Sequence, residues 1–410
     1  MIKILALVNA HALAHVSRPL EVAKVLRQRG YEIVFCGCGK YLKVAAQEGF
    51  ETHELPYITE EQLVEATRSQ RLDKLFKEEQ VTAYIDAELS LYKRLCPALV
   101  IVENRPTALI SAEIAGISTV AILNAHMSQY KAIPFYSLRN VSDLGARFPL
   151  RYLDRLENWL EGGLIDRLVM KDLVKLRRKY GLKQRHGFGH EEGDLNLFPD
   201  LPEFTPVSKL PENVHFVGPL TWHNDLPAPE SVQGMAEGQR CIYFTIGSSG
   251  LEELIENVQV FANEDMPIII ATGEVEREKG FSVPPNVFLE KFVNTDTVLP
   301  RCGLVVCHGG NGTIYQALSY GVPIVGVAMH EEQFYGLKRV NDLGLGVGFH
   351  VKKLRKRGFQ VLVDAIQEVL HNDKYRANAR RFQRLISENG DSAERAAGIV
   401  EQFLRSKGIA

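Results

Sequence analysis

The chain has no Asp-x-Asp pair, no apolar run approaching the roughly eighteen residues of a membrane span, and no excess of either charge. Its 48 Lys and Arg stand against 50 Asp and Glu in 410 residues. Each absence removes a class. Without the run there is no membrane-crossing helix to read, and without a basic excess there is no nucleic-acid coat. With 45% apolar residues the chain is not disordered either. The missing aspartate pair removes the usual carboxylate clamp for a divalent ion on a diphosphate. Cysteines are few and scattered: Cys36, Cys38, Cys96, Cys241, Cys302 and Cys307 sit mostly in or beside apolar strands. They read as reduced thiols in a cytoplasm. Cys36 and Cys38 have no second pair or His cluster to complete a metal site.

What is present is an α/β pattern too long for one ordinary core, so two domains are expected. Its most informative stretch runs from Cys307 to Gln333. The apolar run Gly303 to Cys307 ends in a glycine-rich turn at His308 to Gly312, and a helix-like segment begins near Thr313. Gly321-Val322-Pro323 then restarts an apolar strand, and Glu332-Gln333 follows at the mouth of the next. A helix N-terminus after such a turn offers unpaired N–H groups and the positive end of the helix dipole, which suits a phosphate or diphosphate. Taken alone, a glycine turn serves packing equally well.

At the other end, residues 2–8 form an apolar run too short for a signal peptide and read as a buried first strand. A loop with His11 and His15 follows. Ser17-Arg18-Pro19 then opens a helix, with Ser as N-cap and Pro in the first turn. Gly30 closes that helix, and Tyr31 to Cys36 is the next strand. A loop at the carboxyl end of a parallel strand places a His in the ligand crevice, where neutral imidazole can accept a proton. Either His could instead cap a turn or contact a buried carbonyl. Thr59 to Leu95 is charged and helical in period, a solvated insertion or the wall of a pocket. The strand Ala98 to Val102 leads to Glu103, and the strand Ser118 to Leu123 leads to His126, which lines a pocket or caps a strand. Tyr130, Phe135, Tyr136, Phe148, Tyr152 and Trp159 lie in a segment that covers a cleft or fills a core. Residues 192–200 contain a strand that completes the first sheet, and Pro202 to Pro211 reads as a linker. Cys241 to Ile246 runs into a second glycine-serine turn, Gly247 to Gly250. The basic run Lys352 to Arg357 reads as a solvated loop face, and the stretches from Phe359 onward as terminal helices.

These stretches resemble the UDP-glycosyltransferase superfamily of bacterial natural-product type, whose donor loop reads H-x-G-x-G-T or a close variant before G-V-P and an acid-Gln pair. Val214 to Leu220 resembles the entry into its second domain. The resemblance implies a GT-B fold, with two Rossmann-like doubly wound domains facing across a cleft that closes on binding. The expected bounds are an acceptor domain over residues 1–205, a nucleotide-sugar domain over 206–385, and a terminal helix over 386–410 packing back toward the first. It implies that His308 and Thr313, with Gly310 and the N–H groups of Asn311 and Gly312, hold the diphosphate, and that Gly247 and Ser249 face the same group. Gln316 stands where a Glu usually holds the ribose, and as a neutral amide it is a weaker acceptor. Glu332 and Gln333 stand where Asp-Gln touches the sugar hydroxyls. Phe292 would stack on the uracil, with the Val293 backbone reading its edge, or be an ordinary core ring. Asn294 replaces a Pro, a change expected to loosen that loop.

In the first half the resemblance makes His15 the base and Glu103 the acid that orients it. Ala14 replaces the customary Gly, and Glu103 a customary Asp. The implied reaction is an inverting, metal-independent transfer of a hexose from a UDP- or dTDP-sugar to a hydroxyl of a small, apolar acceptor. The nucleotide sugar is a co-substrate, and no cofactor or metal is expected. Nucleic acid is not a partner, and there is no membrane span, although peripheral membrane contact, the acceptor and the oligomeric state stay open. The competing readings are a nucleotide-sugar epimerase on the same fold, a lipid-linked N-acetylglucosaminyl transferase, whose glycine loop before the first His is missing here, and a non-catalytic nucleotide-sugar-binding subunit.

Overall fold

The computed structural model describes residues 1–68, 74–135, 154–245, 257–262, 266–273 and 282–409. Two compact units divide the chain, Met1–Leu220 with Asp391–Ala410, and Thr221–Gly390. In the first unit, the strands β1 (Lys3–Asn9), β2 (Glu32–Cys38), β3 (Glu51–Glu54), β4 (Leu99–Glu103), β5 (Ser118–Ile122), β6 (Leu195–Phe198) and β7 (Val214–Phe216) form one parallel sheet in the order β3-β2-β1-β4-β5-β6-β7. β1 and β4 are buried on both faces, which is why they read as continuous apolar runs rather than alternating ones. The helices of this unit are α1 (Leu13–Gln28), α2 (Leu42–Gln47), α3 (Glu60–Arg68), α4 (Glu78–Leu95), α5 (Pro106–Ala115), α6 (Asp154–Leu168) and α7 (Lys171–Lys179). The strand order reverses between β1 and β4, so the carboxyl ends of those two strands flank the crevice that such sheets use for ligands.

In the second unit, β8 (Cys241–Thr245), β9 (Ile268–Ala271), β10 (Val287–Glu290), β11 (Cys302–Cys307), β12 (Ile324–Ala328) and β13 (Gly346–His350) form a parallel sheet ordered β10-β9-β8-β11-β12-β13. Its helices include α8 (Asn311–Ser319), α9 (Glu331–Asp342), α10 (Val351–Arg357), α11 (Gln360–Leu370) and α12 (Asp373–Asn389). Here the order reverses between β8 and β11, directly before the His308 loop. The core gathers β8, β9, β11 and β12 around Phe244, Ile270, Val306 and Val325, with Leu362 and Ile366 of α11 covering one face. Among the described residues no helix is long and apolar enough to cross a membrane.

The unit boundaries differ from those read in the sequence. β7 pairs with β6 and extends the first sheet past residue 205. The proline-bearing stretch before it is no free linker. Lys131 bridges Val207, Ala132 N–H donates to the Pro206 carbonyl, and Ser208 N–H donates to the Tyr130 carbonyl. Proline lacks a donor but keeps its carbonyl, so a Pro-rich strand can still accept from a neighbour. At the other end, α12 stays with the second unit and the return begins at Asp391 rather than 386. The last helix, α13 (Ser392–Ser406), packs on α1, burying Ala396, Ala397, Val400 and Leu404, while the Arg29 guanidinium bonds Glu394 and Glu401. Residues 352–357, expected in a loop, lie within α10.

Helix α1 also starts earlier than expected. Its N-cap is Ala12, Ser17 caps nothing, and Pro19 lies inside the helix. His15 is therefore in the first turn of α1 rather than in the loop before it. Buried thiols that are far apart in sequence also meet, with Cys241 and Cys302 Sγ atoms 3.7 Å apart.

If α13 is part of the first unit's core, Leu404→Ala should cost about 2–5 kcal/mol of its stability, read as a lower urea midpoint. An unchanged midpoint would mean that α13 is attached without supporting the fold.

Candidate active site

In the first unit the site follows from register. Val8 of β1 pairs with Glu103 of β4, so the loop leaving β1 passes directly over the end of β4. The first turn of α1 then carries His15 and, three residues on, Arg18 along the same helix face. His15 Nδ1 donates to Glu103 Oε1 at 3.0 Å, and Arg18 Nη1 donates to the same oxygen at 3.1 Å. Glu103 and Arg18 side chains are buried, whereas the His15 side chain keeps 24% exposure. Because a carboxylate only accepts, the proton of neutral His15 stays on Nδ1, which leaves Nε2 with its lone pair. Asn104, just past Glu103, holds a left-handed φ of 52°, a conformation Asn tolerates better than most residues. Asn9 at the end of β1 donates to Asn104 Oδ1 at 3.0 Å and accepts from the His11 N–H at 3.3 Å, tying both strand ends together.

His11 takes the structural course left open by the sequence: its Nε2 donates to the Ile58 carbonyl at 2.6 Å. That segment is anchored by a buried group next to it. Arg105 Nε bonds Glu88 at 2.7 Å, its Nη2 bonds the Pro56 carbonyl at 2.6 Å, and its guanidinium lies 4.4 Å from the Tyr57 ring centre. His126 is buried, edge-on to Phe135. Of the aromatic segment, Tyr130 and Phe135 are core, while Tyr136, Phe148 and Tyr152 lie outside the described residues. Helix α6 is different. Leu156, Trp159, Leu160, Leu164 and Leu168 are all exposed at helical spacing, forming one apolar stripe.

In the second unit the described donor candidates follow β10, β11 and β12 in the chain. Gly309 has φ +89°, and a Cβ there would stand 2.7 Å from the Gln333 carbonyl, so the His308 loop presses closely on α9. A Cβ on Gly310 would meet His308 Nε2 at 2.4 Å, so glycine is required for the ring to sit where it does. Gly310 is the N-cap of α8 and supplies no side-chain cap, while nothing would obstruct a Cβ at Gly312. Asn311, Gly312 and Thr313 form the first turn of α8, all half-buried. The His308 ring is enclosed although the residue keeps some exposure. Burial pushes its pKa down to about 4, and the nearby His330 adds to this, while the Thr245 backbone and Glu332 act in the opposite direction. At neutral pH the ring is uncharged.

Gln316 is committed in part. Its Nε2 donates to the Trp222 carbonyl at 3.0 Å and lies 3.4 Å from Thr295 Oγ1, so Oε1 is the group it can offer a hydroxyl. Glu332 and Gln333 sit in the first turn of α9 rather than at the mouth of a strand; Glu332 is exposed, and Gln333 Oε1 accepts from Met329 N–H at 2.8 Å. Phe292 is 51% exposed, which removes the core reading of this ring. Val293 is buried, and its carbonyl accepts from Asn224. Asn294 does not loosen the loop. It caps the next helical turn by accepting from Asp296 N–H at 3.0 Å, and it donates to the Leu226 carbonyl at 2.8 Å. Gly247 and Ser249 lie outside the described residues.

Sequence reasoning missed Arg18, the Asn9–Asn104 tie and the Trp222 carbonyl. Arg18 left a faint signal in its three-residue spacing from His15. The others depend on strand pairing and on a contact across 94 residues, which no local pattern encodes.

Comparison with known proteins bears on this geometry. Residues 253–401 match the family described as Erythromycin biosynthesis protein CIII-like, C-terminal domain. The chain is 29% identical over 388 residues to a PGL/p-HBAD biosynthesis glycosyltransferase of Mycobacterium tuberculosis, covering 93% of this chain and 87% of that one. It is 30% identical over 264 residues to an inactive PGL/p-HBAD biosynthesis glycosyltransferase of Mycobacterium bovis, covering 62% of this chain and 69% of that one. The crystal structure of CalG4, the calicheamicin glycosyltransferase, matches with a TM-score of 0.70 at 22% identity over 99% of both chains. Together with the two parallel sheets and the His308 loop, these likenesses lead to one conclusion: the chain belongs to the UDP-glycosyltransferase superfamily, among the natural-product glycosyltransferases of GT-B fold.

Proposed function

We propose that this glycosyltransferase moves a hexose from a UDP- or dTDP-sugar to a hydroxyl of a small apolar acceptor, with inversion and without a metal ion. The observation that carries the reading is the His15–Glu103 hydrogen bond at 3.0 Å, buried on the carboxylate side and open on the imidazole side. In the proposed step the acceptor oxygen forms its bond to the anomeric carbon while the bond to the diphosphate oxygen breaks, its electron pair leaving with the diphosphate. The hydroxyl proton passes to His15 Nε2. Glu103 holds the tautomer and stabilises the imidazolium that results. Direct attack opposite the leaving group inverts the anomeric centre.

On the donor side the sequence offers no Asp-x-Asp pair, so the leaving charge would be met by the first-turn N–H groups and dipole of α8, by Thr313 and by His308. His308 would act first as a neutral N–H donor, since its pKa is pushed down to about 4. Gln316 Oε1 would take a ribose hydroxyl, Phe292 would lie against the base with the Val293 backbone at its edge, and Glu332 with Gln333 would hold the sugar. Gly247 and Ser249 remain assigned to the diphosphate by resemblance. The exposed stripe of α6 supports an apolar acceptor, because such a surface gains from being covered.

Calorimetric titration with UDP and dTDP in EDTA tests the donor half; binding of neither would remove this reading's support. Gly310→Ala should abolish that binding by displacing the His308 ring, with little change in melting temperature. For the base, His15→Gln should lower turnover by about 10²–10⁴-fold with nucleotide affinity unchanged, assayed with UDP-glucose and dTDP-rhamnose against a panel of phenols, sterols and polyketides. A variant with normal turnover would mean His15 is not the base, and undiminished nucleotide binding without transfer by the parent protein would favour a binding subunit.

The depressed His308 pKa also sets a pH dependence. The unfolded imidazole titrates near pH 6.5, so between there and about pH 4 the unfolded chain holds a proton that the folded one lacks. Stability associated with this group is therefore complete above about pH 6.5 and declines as pH falls toward 4. His308→Asn should flatten that part of the pH–stability curve; an identical slope in the variant would place the effect elsewhere.

A further inference from the structure

Arg18 has no role in the reaction as written above, yet it shares the oxygen on which the candidate base depends. A buried carboxylate with no cation beside it would be costly to keep ionised. Arg18, whose guanidinium does not lose its proton, lies 3.1 Å from Glu103 Oε1 with a side-chain exposure of 6%. Its planar fork is held by burial on α1, one helical step from His15. The same oxygen is 3.0 Å from His15 Nδ1. Two donors, one permanently charged and one titratable, therefore share a single acceptor atom.

We propose that Arg18 is a positioning residue that sets the protonation poise of His15 through Glu103. A carboxylate paired with imidazole alone stabilises the imidazolium, and an opposite charge at this range raises a pKa by about 1–3 units. With Arg18 present, the Glu103 charge is compensated while His15 is neutral, and protonation of His15 brings a second cation next to the first. Arg18 thus holds Glu103 in place as the orienting acceptor and opposes the arrival of a second cation on His15.

Other charged groups on elements packed against α1 are engaged away from this point. Lys24 pairs with Glu21 and Glu48, and Arg29 pairs with Glu394 and Glu401 at the far end of the helix. Lys3 and Glu32 pair with each other at the amino ends of β1 and β2. His11 is turned to the Ile58 carbonyl. Among the described residues, Glu103 and Arg18 are the charges bonded into the His15 cluster.

The proposal rests on His15 being the base for its catalytic meaning, but its electrostatic content is measurable without turnover. The His15 imidazole pKa would be read by NMR in the full-length protein, with the resonance assigned by its loss in His15→Gln. Arg18→Met should raise that pKa by about one unit or more, and Arg18→Lys, which keeps the charge, should hold it close to the parent value. In transfer assays the acidic limb of kcat/KM should move upward with it in Arg18→Met and return in Arg18→Lys. Should Arg18→Met not fold, Arg18→Gln, which keeps a donor but no charge, carries the same test. A folded neutral variant with an unshifted His15 pKa would overturn the proposal and leave Arg18 a purely structural ion pair. A shifted pKa with a pH–rate profile that does not follow would sustain the electrostatic link and instead remove His15 as the base.

Discussion

The parallel pairing of β1 with β4 is the constraint from which the first unit's candidate site is built. Because Val8 and Glu103 are register partners, the chain leaving β1 must cross the end of β4. The first turn of α1 then has little choice but to meet the Glu103 carboxylate. Both strands are buried on both faces, so a slip in register would turn apolar side chains away from their partners and move every group at the strand ends. Precision at His15 is thus inherited from strand packing far larger than the site itself.

The second unit's candidate site uses the same topology with different chemistry. Its strand order also reverses before a loop, but the groups there are glycine, hydroxyl and backbone N–H rather than a hydrogen-bonded imidazole and carboxylate. Close approach does the positioning. Gly309 lets the loop reach the Gln333 carbonyl, and Gly310 leaves room for the His308 ring. Enclosure then makes that ring neutral, so an anion arriving there would meet donors and dipoles before it met a full positive charge.

The unit boundaries show how composition can mislead. Prolines over 202–211 read as a linker, yet the Pro206 carbonyl accepts from Ala132 N–H, Ser208 N–H donates to the Tyr130 carbonyl, and the sheet continues into β7. Likewise, Ser17-Arg18-Pro19 has the form of a helix start, but α1 begins at Leu13 and runs through Pro19. Local propensity is a weak prior, and tertiary packing of an apolar helix face overrides it. The Asn294 replacement is the same lesson at one residue. Losing a Pro suggests a looser loop, whereas the Asn side chain supplies a cap and a cross-loop bond that Pro could not.

What the sequence by itself determined was therefore periodic and local. The strand-loop-helix rhythm of two α/β domains, the glycine turn at His308 before a helix, and Glu103 at the end of a strand were all legible, because each is written in adjacent residues. Only the tertiary structure decided what lies on the other side of each group. It set Arg18 on the oxygen that His15 uses, Gln316 on the Trp222 carbonyl, Phe292 in solvent rather than in the core, and Cys241 against Cys302. The physical reason is the same throughout. Charge, burial and hydrogen-bond competition depend on distances between residues tens of positions apart, and strand order and register set those distances.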